Sequence, residues 1–145
     1  MAEGDGVAYN HAKEQFLIGG LDLSVATLKI ALFGSGYSLD IDGNNGYANV
    51  SAQEITVTGG YTAGGKTLTG NTVTQDDGND RAKFDAANVT WTSLETATIA
   101  HAIIYDDNIT TPVAKPLIFH FEIATNSNGN DYTLNFHTNG IALLS

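Results

Sequence analysis

Gly60, Gly65, Lys66 and Thr67 in "GYTAGGKTLTG" stand at the spacing G-x-x-x-x-G-K-[ST] of a phosphate-binding loop. In such a loop, backbone amides and a helix N-terminus hold the phosphates, and the lysine reaches the terminal ones. That chemistry needs a helix directly behind the lysine. The following residues, "TLTGNTVTQ", hold four threonines, a glycine and an asparagine. They disfavour a helix and suit an exposed strand. The glycines 59, 60, 64 and 65 are therefore expected to shape a loop between antiparallel strands, with Lys66 a solvated charge.

A second candidate is "DIDGNNG", where Asp40, Asp42 and Asn44 alternate as oxygen ligands would in a calcium loop. The EF-hand pattern needs glycine at its sixth position and glutamate at its twelfth. Those positions hold Asn45 and Ser51, so a solvated turn is expected, as in "QDDGND" and "NSNGND". The histidines lack the H-x-H spacing of metal-binding cupins. His120 and Glu122 are expected on one outward face with His137 nearby, and His101 as a hydrogen-bonded core residue. No G-x-S-x-G nucleophile turn occurs. The pairs Asp76–Asp77 and Asp106–Asp107 fall in turn-like stretches. No catalytic set and no cofactor is expected.

The bulk composition limits the partners. The chain has 145 residues, 6 basic and 16 acidic side chains, a formal charge of −10 and no cysteine. Nucleic-acid binding needs clustered cations to displace counterions, and the charge also opposes anionic membranes. Thiolate sites and disulfides are ruled out. "MAEGDGVAYN" has neither the basic start nor the apolar core of a secretory signal, so folding in a cytosol is expected.

The elements that would position these residues read as an arm, residues 1–9, and one β domain, residues 10–145. "NHAKEQFLIGG" is a short helix, with Asn10 as cap and Ala12, Phe16 and Leu17 on one face. From Leu21 the period becomes two. "TLKIALF", "NVSAQEITVTG", "KTLTGNTVTQ", "RAKFDA", "NVTWT", "TATIAHAIIYDD", "PLIFHFEIA", "DYTLNFHT" and "GIALLS" read as strands. "TATIAHAIIYDD" is apolar on both faces and is expected at a sheet centre. Val50, Ala52 and Ile55 are placed near a core. A hairpin across "TNSNGN" would set Phe119 and Phe121 against Phe136 and Leu134 and leave His120 outside near Asn135. The expected fold is all-β, an antiparallel sandwich or jelly-roll-like barrel of eight to ten strands, with one short N-terminal helix and an extended arm. Val7 and Tyr9 of the arm are expected to be buried on assembly with a neighbour. Tyr37, Tyr47 and Tyr61, in glycine-rich loops, are candidates for a sugar platform, and turn-anchoring roles explain them as well.

Taken in order, "YNHAKEQFLIGGLDLSVATLKIALFGSGYSLDID", "YTAGGKTL", "FDAANVTWT", "IAHAIIYDD", "PLIFHFEI" and "GNDYTLNFHTNGIALLS" resemble a family of small structural proteins of tailed-phage virions. The resemblance covers nearly the whole chain from Tyr9. It implies a β-rich virion component without catalysis, similar in size to the decoration, or cement, proteins that sit on head shells as trimers. The implied partners are the major capsid protein and two further copies of the chain. The implied alternative is a tail, baseplate or fibre component that binds glycans.

Overall fold

The computed structural model describes residues 1–145. Along the chain it forms β1 (Val7–Ala8), α1 (Asn10–Ile18), β2 (Leu28–Phe33), β3 (Lys66–Thr67), β4 (Thr72–Asp76), β5 (Arg81–Asp85), β6 (Val89–Trp91), β7 (Thr98–Asp106), β8 (Leu117–Asn126), β9 (Tyr132–Leu134) and β10 (Ala142–Leu144). Five strands join in the order β1-β8-β7-β2-β3, three in the order β10-β5-β4, and β6 pairs with β9. Every pairing is antiparallel. The fold is mainly β with one short helix, as the period of two requires.

The two-faced apolar strand β7 lies between β2 and β8. Its register puts Leu32, Ala102 and Phe121 across one face of the sheet, and Ile30, Ile104 and Phe119 beside them. Phe119 takes Phe84 of β5 at 5.8 Å and Phe16 of α1 at 6.1 Å between ring centroids. This contact joins the small sheet and the helix to the large sheet. The opposite face carries Ala31, Ile103 and His120 in one row and Phe33, His101 and Glu122 in the next. Residues 34–65 cover much of that second face. Phe33 and Tyr37 pack at 5.6 Å, and Tyr47 stacks on Tyr105 at 4.7 Å.

Four expectations are corrected. The first concerns "NVSAQEITVTG", which is not a strand. It makes 3-10 turns at Tyr47–Asn49 and Ser51–Gln53, and only Glu54 bridges to Phe33. Asn49 Oδ1 accepts the amides of Asn45 and Gly46, and such a local bond competes with a ladder. Val50 is buried there and Ala52 is exposed.

The second concerns "TNSNGN", which does not close a hairpin. Ser127 Oγ accepts the Ala97 amide and donates to the Glu95 carbonyl, so the chain is led away from β8 and β9 pairs with β6. Phe121 and Phe136 still meet, at 6.0 Å, through packing rather than strand register. The third concerns α1. Ala12 and Gln15 are buried, but Leu17 is 88% exposed. Tyr9 is the residue before the helix and Asn10 its first residue.

The fourth correction is the arm, which is docked on its own domain. Val7 and Ala8 pair with His120 and Phe119. The amides of Gly4 and Gly6 donate to the carbonyls of Gly140 and Ile141 at 3.1 and 3.0 Å. Arg81 holds Glu3 and, at 2.8 Å, Asp76. Gly6 must lack a side chain, because a Cβ would stand 2.9 Å from the Ile141 oxygen and 3.2 Å from Phe121. Tyr9 is fully buried in the same chain, and Val7 remains 43% exposed. Removing residues 1–8 is expected to lower the unfolding free energy by about 2–4 kcal/mol, through lost strand bonds and apolar contact. Urea titration measures this, and an unchanged midpoint would show the docking to be energetically idle.

Candidate functional site

The phosphate-loop spacing resolves into something else. Lys66 opens β3, which pairs antiparallel with β2 through Ile30, so no helix stands behind it. Lys66 Nζ donates to the Thr90 carbonyl at 2.5 Å while the residue stays exposed. Gly65, at φ 77°, packs so closely that a Cβ would lie 1.9 Å from the Ile30 oxygen. Its glycine is therefore dictated by the sheet edge. The Gly64 amide points inward, to Glu54 Oε1 at 2.8 Å.

Glu54 is the centre of this region and is 8% exposed. Its carboxylate accepts from the hydroxyls of Tyr47 and Tyr61 as well as from the Gly64 amide. Tyr61 Oη in turn accepts the Leu32 amide at 3.0 Å, a ladder group that β3 is too short to reach. Tyr105 Oη donates to the Gly64 carbonyl at 2.6 Å. Burial first, then the bond to Glu54, raises the pKa values of Tyr47 and Tyr61 well above the usual phenol value. Both hydroxyls are thus held as proton donors to a buried carboxylate. The arrangement ties the glycine-rich loop to the edge of β2.

A second polar cluster lies on the same face of the large sheet. His101 Nδ1 and His120 Nε2 are 3.0 Å apart, one donating to the other. Tyr37 packs its ring on both, at 5.1 and 5.8 Å, and its hydroxyl meets that of Tyr9 at 2.8 Å. His120 is 1% exposed. The outward position expected for it fails because β1 pairs beside it in the sheet and the Tyr37 loop covers that face. Burial, and then the neighbouring His101, lower its pKa to about 4. His101 is a hydrogen-bonded partner inside the fold, as its apolar neighbours suggested. His137 makes a local bond to the Asn139 amide and does not join the cluster.

The remaining residues separate by exposure. Asp40 Oδ1 accepts the amides of Asp42 and Gly43, and Asp42 accepts from Asn10, the self-bonded turn that Asx residues favour. No group of three or more His, Asp or Glu side chains is placed to hold a metal ion. Tyr37 and Tyr61 are 5% and 6% exposed and Tyr47 is half-buried, so they do not form an exposed platform. Tyr37 borders a depression lined also by Gly36, Ser38, Asp40, Asn44, Asn49 and Gln53. By contrast, Leu17 and Ile18 at the end of α1 and Val25 in the turn that follows stand 88%, 69% and 78% exposed. Sequence reasoning missed Glu54 and misplaced His120, because nothing in their local spacing reports which distant hydroxyl or ring will face them. Comparison with protein-family models, with curated proteins and with solved structures finds no match.

Proposed function

We propose that this chain is a structural component of a tailed-phage virion, a decoration protein that binds the major capsid protein and stabilises the head shell. The observation that carries the reading is the division of its surface and interior. The two clusters of ionisable side chains described above, Glu54 with its tyrosines and the His101–His120 pair, are taken up in hydrogen bonds within the fold. The large aliphatic side chains Leu17, Ile18 and Val25 stand in solvent within one short stretch. Burying each against a partner would contribute roughly 1.5–3 kcal/mol. The stretch also carries Lys13, Glu14 and Asp22, so the partner face is apolar with a rim of mixed charge. The family resemblance from Tyr9 onward supports the same reading and suggests three copies per unit.

The test is cosedimentation with undecorated capsid shells, with shell heat stability as the second readout. The wild-type chain is expected to cosediment and to raise the shell melting temperature. The double variant L17D/V25D is expected to lose at least about tenfold in apparent affinity while keeping its own melting temperature. A wild-type chain that stays in the supernatant and leaves shell melting unchanged refutes the reading. The depression beside Tyr37, with its row of hydroxyl, carboxylate and amide side chains, favours one second reading, a glycan-binding tail component. A glycan array with wild type and Q53A separates the two.

A further inference from the structure

The three-stranded sheet ends in a strand whose outer edge is open. β4 pairs with β5 on one side and has no strand on the other. Exposed edges usually carry a device against pairing with another chain, such as a lysine, a proline, a bulge or very short length. The other edges of this fold have them. β1 and β3 are two residues long, and β3 begins with Lys66. β10 has three residues. The free end of β8, beyond its pairing with β1, carries Glu122. β4, with sequence Thr-Val-Thr-Gln-Asp, has five residues and no lysine, proline or register shift. Its single charge, Asp76, sits at the end and is paired with Arg81.

Val73 shows what the edge lacks. It shares a row with Phe84 and Ala142, on the face of the sheet that enters the core. Phe84 and Ala142 are 3% and 6% exposed, whereas Val73 is 49% exposed. The difference is position, since no strand flanks Val73 on its open side.

We propose that this edge pairs with the same strand of a second copy, antiparallel and centred on Val73. In that register Val73 faces Val73, Thr72 faces Thr74, Asn71 faces Gln75 and Asp76 faces Gly70. The centre is apolar, and no carboxylate meets a carboxylate. Each copy carries a formal charge of −10, which opposes approach at long range and is screened within about 8 Å at physiological ionic strength. The pairing therefore strengthens as salt is added, unlike contacts held by opposite charges. It holds whether or not the chain binds a shell.

The experiment is sedimentation equilibrium over a range of protein concentrations, at about 0.15 M and about 0.5 M salt. The wild-type chain is expected to dimerise, more tightly at the higher salt. V73K, at a position already half in solvent, is expected to fold normally and to weaken the dimer at least about tenfold. Cross-linking gives an independent readout, because the chain has no cysteine. V73C is expected to form a disulfide-linked dimer under mild oxidation, and T56C, exposed elsewhere, is not. A wild-type chain that stays monomeric at both salt concentrations overturns the proposal. So does a dimer that V73K leaves intact, with V73C and T56C cross-linking alike. A trimer untouched by V73K overturns the edge pairing and leaves the shell-binding reading standing.

Discussion

Glu54→Ala is expected to lower the unfolding free energy by about 3–5 kcal/mol, the cost of the buried hydrogen-bonding groups that it would orphan. The alanine would leave two tyrosine hydroxyls and the Gly64 amide without their acceptor, and each orphaned buried group costs about 1–3 kcal/mol. The damage would spread, because Tyr61 also caps the Leu32 amide. Glu54→Gln keeps the shape and one acceptor oxygen, so about 1–2 kcal/mol is expected. Trp91 supplies the readout. It is the sole tryptophan, fully buried, with its ring 6.4 Å from Tyr61. Urea unfolding followed by its fluorescence should give the ranking wild type, Gln, Ala. A double-mutant cycle with Tyr61→Phe should show strong coupling. An alanine variant within about 1 kcal/mol of wild type would mean that the loop is held by packing alone.

Acid is expected to unfold the protein in a window set by His120. Its pKa in the folded chain is about 4, against 6.5 for a free histidine. Between these values the unfolded chain binds the proton and the folded chain does not, so stability falls as pH drops from about 6.5 to about 4. Above the window the contribution is fully present. The size is on the order of 2–3 kcal/mol. The groups facing the ring are His101 from β7, Tyr37 from the covering loop, Val7 from β1 and, one row along, Glu122 of its own strand. The lowered Asp76 and Asp107, held by Arg81 and by Lys115 with Lys29, also lose stability in acid. Their window lies below the ordinary aspartate value, so it is separable. Urea midpoints measured from pH 7 down to pH 4.5 should slope for wild type and flatten for His120→Gln. Parallel slopes for the two proteins would remove His120 from the account.

Much of this architecture could be read from periodicity. Ile99 to Tyr105 is apolar on both faces, and the strand is central for that reason. "DDGND" links β4 and β5 as turn chemistry suggests. The context of Lys66 was readable because threonine-rich sequence cannot supply a helix N-terminus. What could not be read depends on contacts between distant segments. Val50 is buried as expected, yet in a 3-10 turn, because Asn49 satisfies local amides that a strand would have paired elsewhere. His120 alternates with Phe119 and Phe121 and so reads as outward. Only the fold brings Tyr37 over that face and β1 alongside it. The tyrosines offered as a sugar platform are amphipathic, and sequence cannot distinguish a hydroxyl facing solvent from one facing a buried carboxylate. The arm reads as loose because its glycines look permissive. In the fold, Gly6 is a tight fit against Ile141.

The Glu54 clamp fastens a long loop to a sheet edge in a chain with no sulfur crosslink. A carboxylate fastening has no redox chemistry. Neither a reducing cytosol nor an oxidising exterior would open it. If the chain is the particle component proposed above, its loop would keep one conformation on both sides of a cell boundary, with no oxidative maturation step between.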